Sequence, residues 1–94
     1  MHESEYVVAI ALRPDIAQID MAVARERLGS QLRTERTGKP LGATGERPLW
    51  TIAVSAPGLS EAGAKALRLI TDAFRGVDPG GEVAYVAGRA WWTF

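Results

Sequence analysis

The residues best suited to binding chemistry lie at the end of the chain, where Arg89-Ala-Trp-Trp-Thr-Phe94 places two adjacent tryptophans beside an arginine. Neighbouring side chains of a β-strand point to opposite faces. Only one of Trp91 and Trp92 can therefore pack under helices, and the other must face solvent, a ligand or another chain. Large aromatic side chains are enriched at the centres of protein interfaces. We therefore predict an interaction surface that includes Arg89, Trp91, Trp92 and Phe94.

A second set of candidate residues is basic and lies in the middle of the sequence, within residues 25–47. Arginines that follow a nucleic-acid backbone, with a tryptophan as a stacking platform, are typical of single-strand binding. Glutamates interrupt this segment and the formal net charge of the chain is zero, which argues against a dominant attraction to nucleic acid. The residues of this candidate basic patch are Arg33, Arg36, Lys39 and Arg47.

Catalytic and metal-binding chemistry has little support in the sequence. His2 is the only histidine and there is no cysteine, so neither a histidine pair nor a thiolate site is available to a metal. The carboxylates fall where a cap, a helix surface or a turn would carry them in any protein. We predict no catalytic residue, no metal site and no cofactor.

Composition and length indicate one soluble domain spanning residues 1–94. The hydrophobic content of 47% and the charged content of 23% are those of an ordinary globular chain. No run approaches the roughly 20 apolar residues of a membrane helix, and the first residues are acidic rather than those of a signal peptide. We expect no membrane association and a cytoplasmic location. Nine arginines against two lysines, with fifteen alanines, are typical of GC-rich coding, as in a high-GC bacterium or its phage.

Two segments of the chain repeat one pattern, an apolar strand that begins at an aromatic residue and leads into a helix. The strands are 6–12 and 50–56, whose starts lie 44 residues apart. In each strand large apolar side chains alternate with small ones, so one face suits packing under helices. The small side chains of the other face, Ala9 and Ala53 among them, predict a surface that something else approaches closely.

The helices are predicted from caps and apolar spacing. The first should open at Asp15, close at Gly29 and bury a stripe formed by Ile16, Ile19 and Val23. The second should be capped by Ser60. Its buried stripe is predicted to consist of Gly63, Leu67, Ile70 and Phe74.

Two further strands complete the predicted sheet. Residues 31–37 read as a charged edge strand, and residues 82–94 read as the last strand. Simple alternation places Val83 and Tyr85 on the same face, unless a bulge at Gly88 exchanges the faces. The connection 38–48 has three glycines and two prolines and is predicted to be a loop.

The resulting order, β-α-β-β-α-β, resembles the ferredoxin-like superfold over nearly the whole chain. This resemblance implies an α+β sandwich, in which an antiparallel sheet carries two helices on one face. It implies no particular activity, because many unrelated functions share the fold.

Three functions are compatible with these features. The first is a non-enzymatic protein-interaction module that uses the apolar sheet face and the aromatic last strand and self-associates as a homodimer. It rests on apolar residues on both faces of a sheet that two helices can cover on one face only. The alternative is a small-molecule-binding protein or cofactor-free enzyme of the dimeric α+β barrel type, with a cavity beside the small side chains. The third is nucleic-acid binding through the basic segment.

Overall fold

The computed structural model describes residues 3–39 and 45–88 and shows an α+β fold. Two helices and four strands follow one another in the order β-α-β-β-α-β. Their bounds are β1 (Ser4–Ala11), α1 (Gln18–Leu28), β2 (Leu32–Gly38), β3 (Arg47–Ala56), α2 (Leu59–Ala73) and β4 (Glu82–Gly88). A single 3₁₀ turn, Gly29–Gln31, joins α1 to β2.

The four strands form one antiparallel sheet in the spatial order β2-β3-β1-β4. The two central strands are those with the strongest apolar alternation, and the charged strand β2 lies at an edge. This confirms the predicted fold class, the ferredoxin-like order of elements and the edge strand at residues 31–37.

One face of the sheet packs against both helices and contains the hydrophobic core. The large side chains of β1 and β3 point to this face and are buried: Val8, Ile10, Leu12, Trp50, Ile52 and Val54. α2 contributes Ala62, Ala66, Ile70 and Ala73, and α1 contributes Met21, Ala24 and Leu28. Small alanines on α2 let the helix lie close to the large side chains of the strands, as close packing requires.

Trp50 is the largest fully buried side chain and links the sheet to both helices. Its ring lies 5.6 Å from the ring of Phe74, at the end of α2, with a tilt of 35°. The guanidinium carbon of Arg25, on α1, lies 5.9 Å from the centre of the Trp50 ring. An aromatic pair and a cation over a ring each add to the apolar burial at this point.

The predicted course of the first helix was wrong in two respects. α1 begins at Gln18 rather than at Asp15, and Asp15 forms an ion pair with Arg13 instead of capping the helix. Ile19 is 74% exposed and Val23 is also exposed, because the buried side chains follow a different stripe. The helix does end at Gly29, whose φ of 56° is one that glycine adopts without a steric penalty.

The second helix begins one residue before the predicted cap. Gly58 occupies the N-cap position, and Ser60 lies inside the helix without a capping hydrogen bond. The predicted stripe is otherwise observed, since Gly63, Ile70 and Phe74 are buried and Leu67 is partly buried. Gly63 faces Val83 of β4, and a Cβ at this position would lie 3.5 Å from the Val83 side chain, an ordinary van der Waals distance.

Candidate functional site

A groove crosses the face of the sheet that is turned away from the helices, which we call the open face. It is lined by residues of all four strands. One row of pairs crosses the sheet beneath it, in which Thr34 pairs with Thr51, Thr51 with Ala9, and Ala9 with Tyr85. Ala9 itself is 1% exposed and does not line the groove. The groove has a volume of about 320 Å³. Its lining residues are Glu5, Val7, Arg33, Thr34, Arg36, Thr51 and Tyr85.

A bulge in β2 decides which side chains reach the groove from this edge. Leu32 pairs with Ile52 and Thr34 with Thr51, so Arg33 is an extra residue in the strand. An extra residue exchanges the faces of everything that follows it. Arg33 and Arg36 consequently both line the open face, together with Thr34.

The same bulge sends Glu35 to the helix side of the sheet. There its carboxylate accepts two hydrogen bonds from Arg25 of α1, at 2.6 and 2.7 Å. The hydrogen bond and the negative charge of Glu35 raise the pKa of Arg25 above its ordinary value. Since the bulge turns Glu35 to the other face, the side chain between Arg33 and Arg36 that carries a carboxylate does not reach the groove.

A second bulge, in β4, turns the aromatic side chain of Tyr85 towards the groove. Ile10 pairs with Val83 and Ala9 with Tyr85, so Ala84 is the extra residue. Val83 therefore faces α2, while Tyr85 faces the groove and is 50% exposed. The predicted sharing of one face by Val83 and Tyr85 was wrong, because the faces exchange at Ala84.

The floor of the groove carries a pair of hydroxyl groups. The side-chain oxygens of Thr34 and Thr51 form a short hydrogen bond with each other. Thr51 is 7% exposed and is the one buried polar residue of the described chain. Two hydroxyls have two protons and their mutual bond uses one, so one O–H proton is not used by that bond.

The charges of the open face are separated along the sheet. Arg36 pairs with Leu49 and Glu5 with Ser55, six residues further along β3, which corresponds to roughly 20 Å at about 3.3 Å per residue. In the described ranges neither Arg33 nor Arg36 forms an ion pair. The face therefore has a basic end and an acidic end, with small and hydroxyl-bearing side chains between them.

The sequence-predicted site residues are only partly brought together. Ala9 and Ala53 both lie on the open face, the first buried and the second half-buried. Of the candidate basic patch, Arg33 and Arg36 meet at the groove, whereas Lys39 is exposed just after β2. The predicted aromatic surface, Arg89, Trp91, Trp92 and Phe94, lies outside the described residues, as does His2.

Arg47 does not extend the basic patch, because the fold uses its guanidinium internally. The side chain donates hydrogen bonds to the carbonyl oxygens of Leu12, Ala11 and Gly80, at 2.7, 3.2 and 2.8 Å. It also pairs with Glu82 at 2.8 Å. These contacts join the start of β3 to the end of β1 and to the turn before β4.

Sequence reasoning missed Thr34, Thr51, Tyr85, Val7 and Glu5 as lining residues. The small-residue pattern of β1 and β3 did point to the correct face of the central strands. The side chains that reach this face from β2 and β4 depend on bulges, for which the sequence carries no glycine or proline as a signal.

Neither metal-binding clusters nor membrane spans are found in the part of the chain that the structure describes. Those residues contain no group of three or more histidine, aspartate or glutamate side chains placed to hold a metal ion. None of the helices there is long and apolar enough to cross a bilayer.

Comparison of the chain with known protein families, with curated proteins and with solved structures finds no match.

Proposed function

We propose that this protein is a non-enzymatic interaction module that self-associates through the open face of its sheet, as a homodimer. The observation that carries the proposal is the charge layout of that face, with Glu5 towards one end, Arg36 towards the other and small side chains between them. Such a surface is complementary to itself.

The complementarity follows from twofold symmetry. In a symmetric dimer the same patch meets itself, so a residue at one end of the patch faces the residue at the other end. An axis through the middle of β3, near Thr51 and Ala53, places Glu5 of each copy over Arg36 of the other. Two ion pairs then flank a floor of small side chains. Glu5 already has an interaction within its own chain, but a carboxylate accepts several donors at once.

The expected dimer is weak, because the face is small. Four strands about 4.8 Å apart and about seven residues long cover roughly 400 Å² of projected area. Specific interfaces of ordinary strength bury about 800 Å² on each partner, and transient ones bury less. We therefore expect a dimer that dissociates on dilution.

A charge exchange tests this arrangement. Glu5→Arg alone and Arg36→Glu alone each place like charges opposite each other and should give a monomer. The double variant, with both changes, restores opposite charges across the axis and should recover the dimer. Molar mass is measured by light scattering behind a sizing column at several loading concentrations.

Arg75→Glu serves as the matched control, because Arg75 is exposed beyond the end of α2 and away from the open face. It should leave the dimer unchanged. A wild-type chain that is monomeric at every concentration, or a double variant that stays monomeric, would contradict the proposed mode of association.

The groove itself favours a second candidate function, the binding of a small molecule at the same face. Its volume lies at the lower end of the 300–1,000 Å³ that is typical of ligand pockets. Ligand pockets are usually lined by apolar and aromatic side chains and a few convergent polar groups, and Val7, Tyr85 and the threonine pair are of these kinds.

A further inference from the structure

We propose that the groove binds a small molecule in which an oxyanion, either carboxylate or phosphate, is joined to a flat apolar ring. This inference rests on the proposed self-association, because the second copy closes the groove and turns it into a chamber between two sheets. It adds the chemical class of the ligand and the group that holds each part of it.

The oxyanion is assigned to the β2 side of the groove. Arg33 and Arg36 lie on one face only because the bulge adds a residue between Leu32 and Thr34. Each guanidinium is a planar set of donors that matches a carboxylate or a phosphate, and neither is engaged in an ion pair within the described chain. In the dimer Arg36 faces Glu5 of the other copy, which leaves Arg33 as the main cation for the ligand.

The hydroxyl pair reinforces this end of the groove. Thr34 is adjacent to Arg33, and the pair that it forms with Thr51 has one O–H proton that their mutual bond does not use. A hydroxyl donor next to a cation favours a negatively charged oxygen. Burial of Thr51 strengthens the contact, because electrostatic interactions gain as water is excluded.

The ring is assigned to the gap between Thr51 and Tyr85, next to Val7. Thr51 and Tyr85 lie on either side of Ala9 in the same row, two strand spacings apart, which is roughly 10 Å. Val7 provides apolar surface, and the half-exposed ring of Tyr85 provides a wall for stacking or edge contact. The gap is wide enough for one aromatic ring and too narrow for an extended ring system.

Size and charge restrict the ligand further. A volume of about 320 Å³ lies at the lower end of the range for ligand pockets, which suits one ring with a single acid group. Arg33 and Arg36 belong to β2 and Tyr85 belongs to β4, so the oxyanion points towards β2 and the ring towards β4.

The experiment is a titration of the ¹⁵N-labelled dimer with four probes, followed by amide chemical shifts. Benzoate and phenyl phosphate carry both parts of the proposed ligand, benzamide lacks the charge, and inorganic phosphate lacks the ring. Benzoate or phenyl phosphate should give saturable shifts at Val7, Thr34, Thr51 and Tyr85, and whichever binds identifies the oxyanion. Benzamide and inorganic phosphate should each bind at least roughly tenfold more weakly, the loss expected when one charge-assisted contact or one ring contact is removed.

Two variants and a control assign the roles. Arg33→Gln should lower the affinity for the acidic probe roughly tenfold or more and leave the weak affinity for benzamide unchanged. Tyr85→Ala should lower the affinity for both probes. Arg75→Gln, the control, should alter neither affinity. A loss of affinity for benzamide in Arg33→Gln would indicate damage to the groove and not the loss of a charge contact, and would overturn the assignment.

The failures are distinguishable. A dimer that shows no saturable shifts with either acidic probe, or that binds benzamide as tightly as benzoate, overturns this inference and leaves self-association intact. A chain that is monomeric at every concentration overturns self-association and, with it, the closed chamber.

Discussion

At the scale of single residues, three arginines show that the position in the sheet decides what a side chain contacts. Arg33, Arg36 and Arg47 are chemically identical and were grouped as one candidate patch from the sequence. Arg33 and Arg36 line the open groove, whereas Arg47 donates to three backbone carbonyls and pairs with Glu82. The sequence shows that the charges are present, but the carbonyls that Arg47 meets come from segments more than thirty residues away.

We predict that Arg47→Ala destabilises the protein by roughly 2–3 kcal/mol. The side chain is mostly shielded, and its removal leaves the carbonyls of Leu12 and Gly80 without their charged donor. Arg47→Lys should recover part of the loss, because an ammonium group supplies a charge but not a planar set of donors. Urea denaturation measures both changes.

The exposed Arg75 provides the comparison for this prediction. Arg75→Ala should alter the free energy of unfolding by less than about 0.5 kcal/mol, as is usual for surface positions. Equal effects of Arg47→Ala and Arg75→Ala would show that the contacts of Arg47 contribute nothing net.

At the scale of elements, the sequence predicted where the strands lie. It did not predict which side chains of the outer strands, β2 and β4, point to which face of the sheet. The strong apolar alternation of β1 and β3 allowed their inward faces to be read from the sequence. β2 and β4 each contain a bulge, at Arg33 and at Ala84, and each bulge exchanges the faces beyond it. Bulges depend on how two strands pair, and pairing is a long-range property that the local residue pattern does not report.

The predicted buried face of the first helix was wrong for a related reason. Its apolar residues lie on both sides, so two stripes compete for the core: Ile19 and Val23 on one side, and Met21, Ala24 and Leu28 on the other. The direction in which α1 leaves β1 selects the second stripe. In contrast, α2 has one dominant apolar face, and its stripe was predictable.

The competing stripes give a direct test by matched truncation. Leu28→Ala should destabilise the protein by about 2–4 kcal/mol, because Leu28 is 5% exposed and its loss leaves a cavity. Ile19→Ala should change the stability by less than about 0.5 kcal/mol, since the side chain is largely in solvent and alanine favours the helix. Thermal or urea unfolding of the two variants is compared with that of the wild type, and the opposite ranking would refute the observed orientation of α1.

At the scale of the whole molecule, the two faces of the sheet have different properties. The helix side holds a packed core of large apolar side chains, while the open side has small side chains, hydroxyls and separated charges. The first supplies stability within one copy. The second supplies little stability to an isolated chain, and it is the surface on which we place both self-association and ligand binding.

Self-association through this face predicts that thermal stability depends on protein concentration. Association that occurs only in the folded state raises the melting temperature as concentration increases. Calorimetry over a hundredfold range of concentration should show a rising Tm for the wild type. It should show a constant Tm for Arg36→Glu, in which the attraction between residue 36 and Glu5 of the other copy is replaced by repulsion. A rising Tm in both proteins would place the association on a different surface.

The sequence alone was sufficient for the order of elements, the ferredoxin-like class and the identity of the open face on the central strands. Those features depend on local alternation and on breaks such as Gly29, which act over a few residues. Only the tertiary structure decided which side chains meet at the groove. Two bulges set the faces of the edge strands, and on the helix side Arg25 of α1 holds Glu35 of β2. Strand pairing of this kind is an interaction between segments distant in the chain.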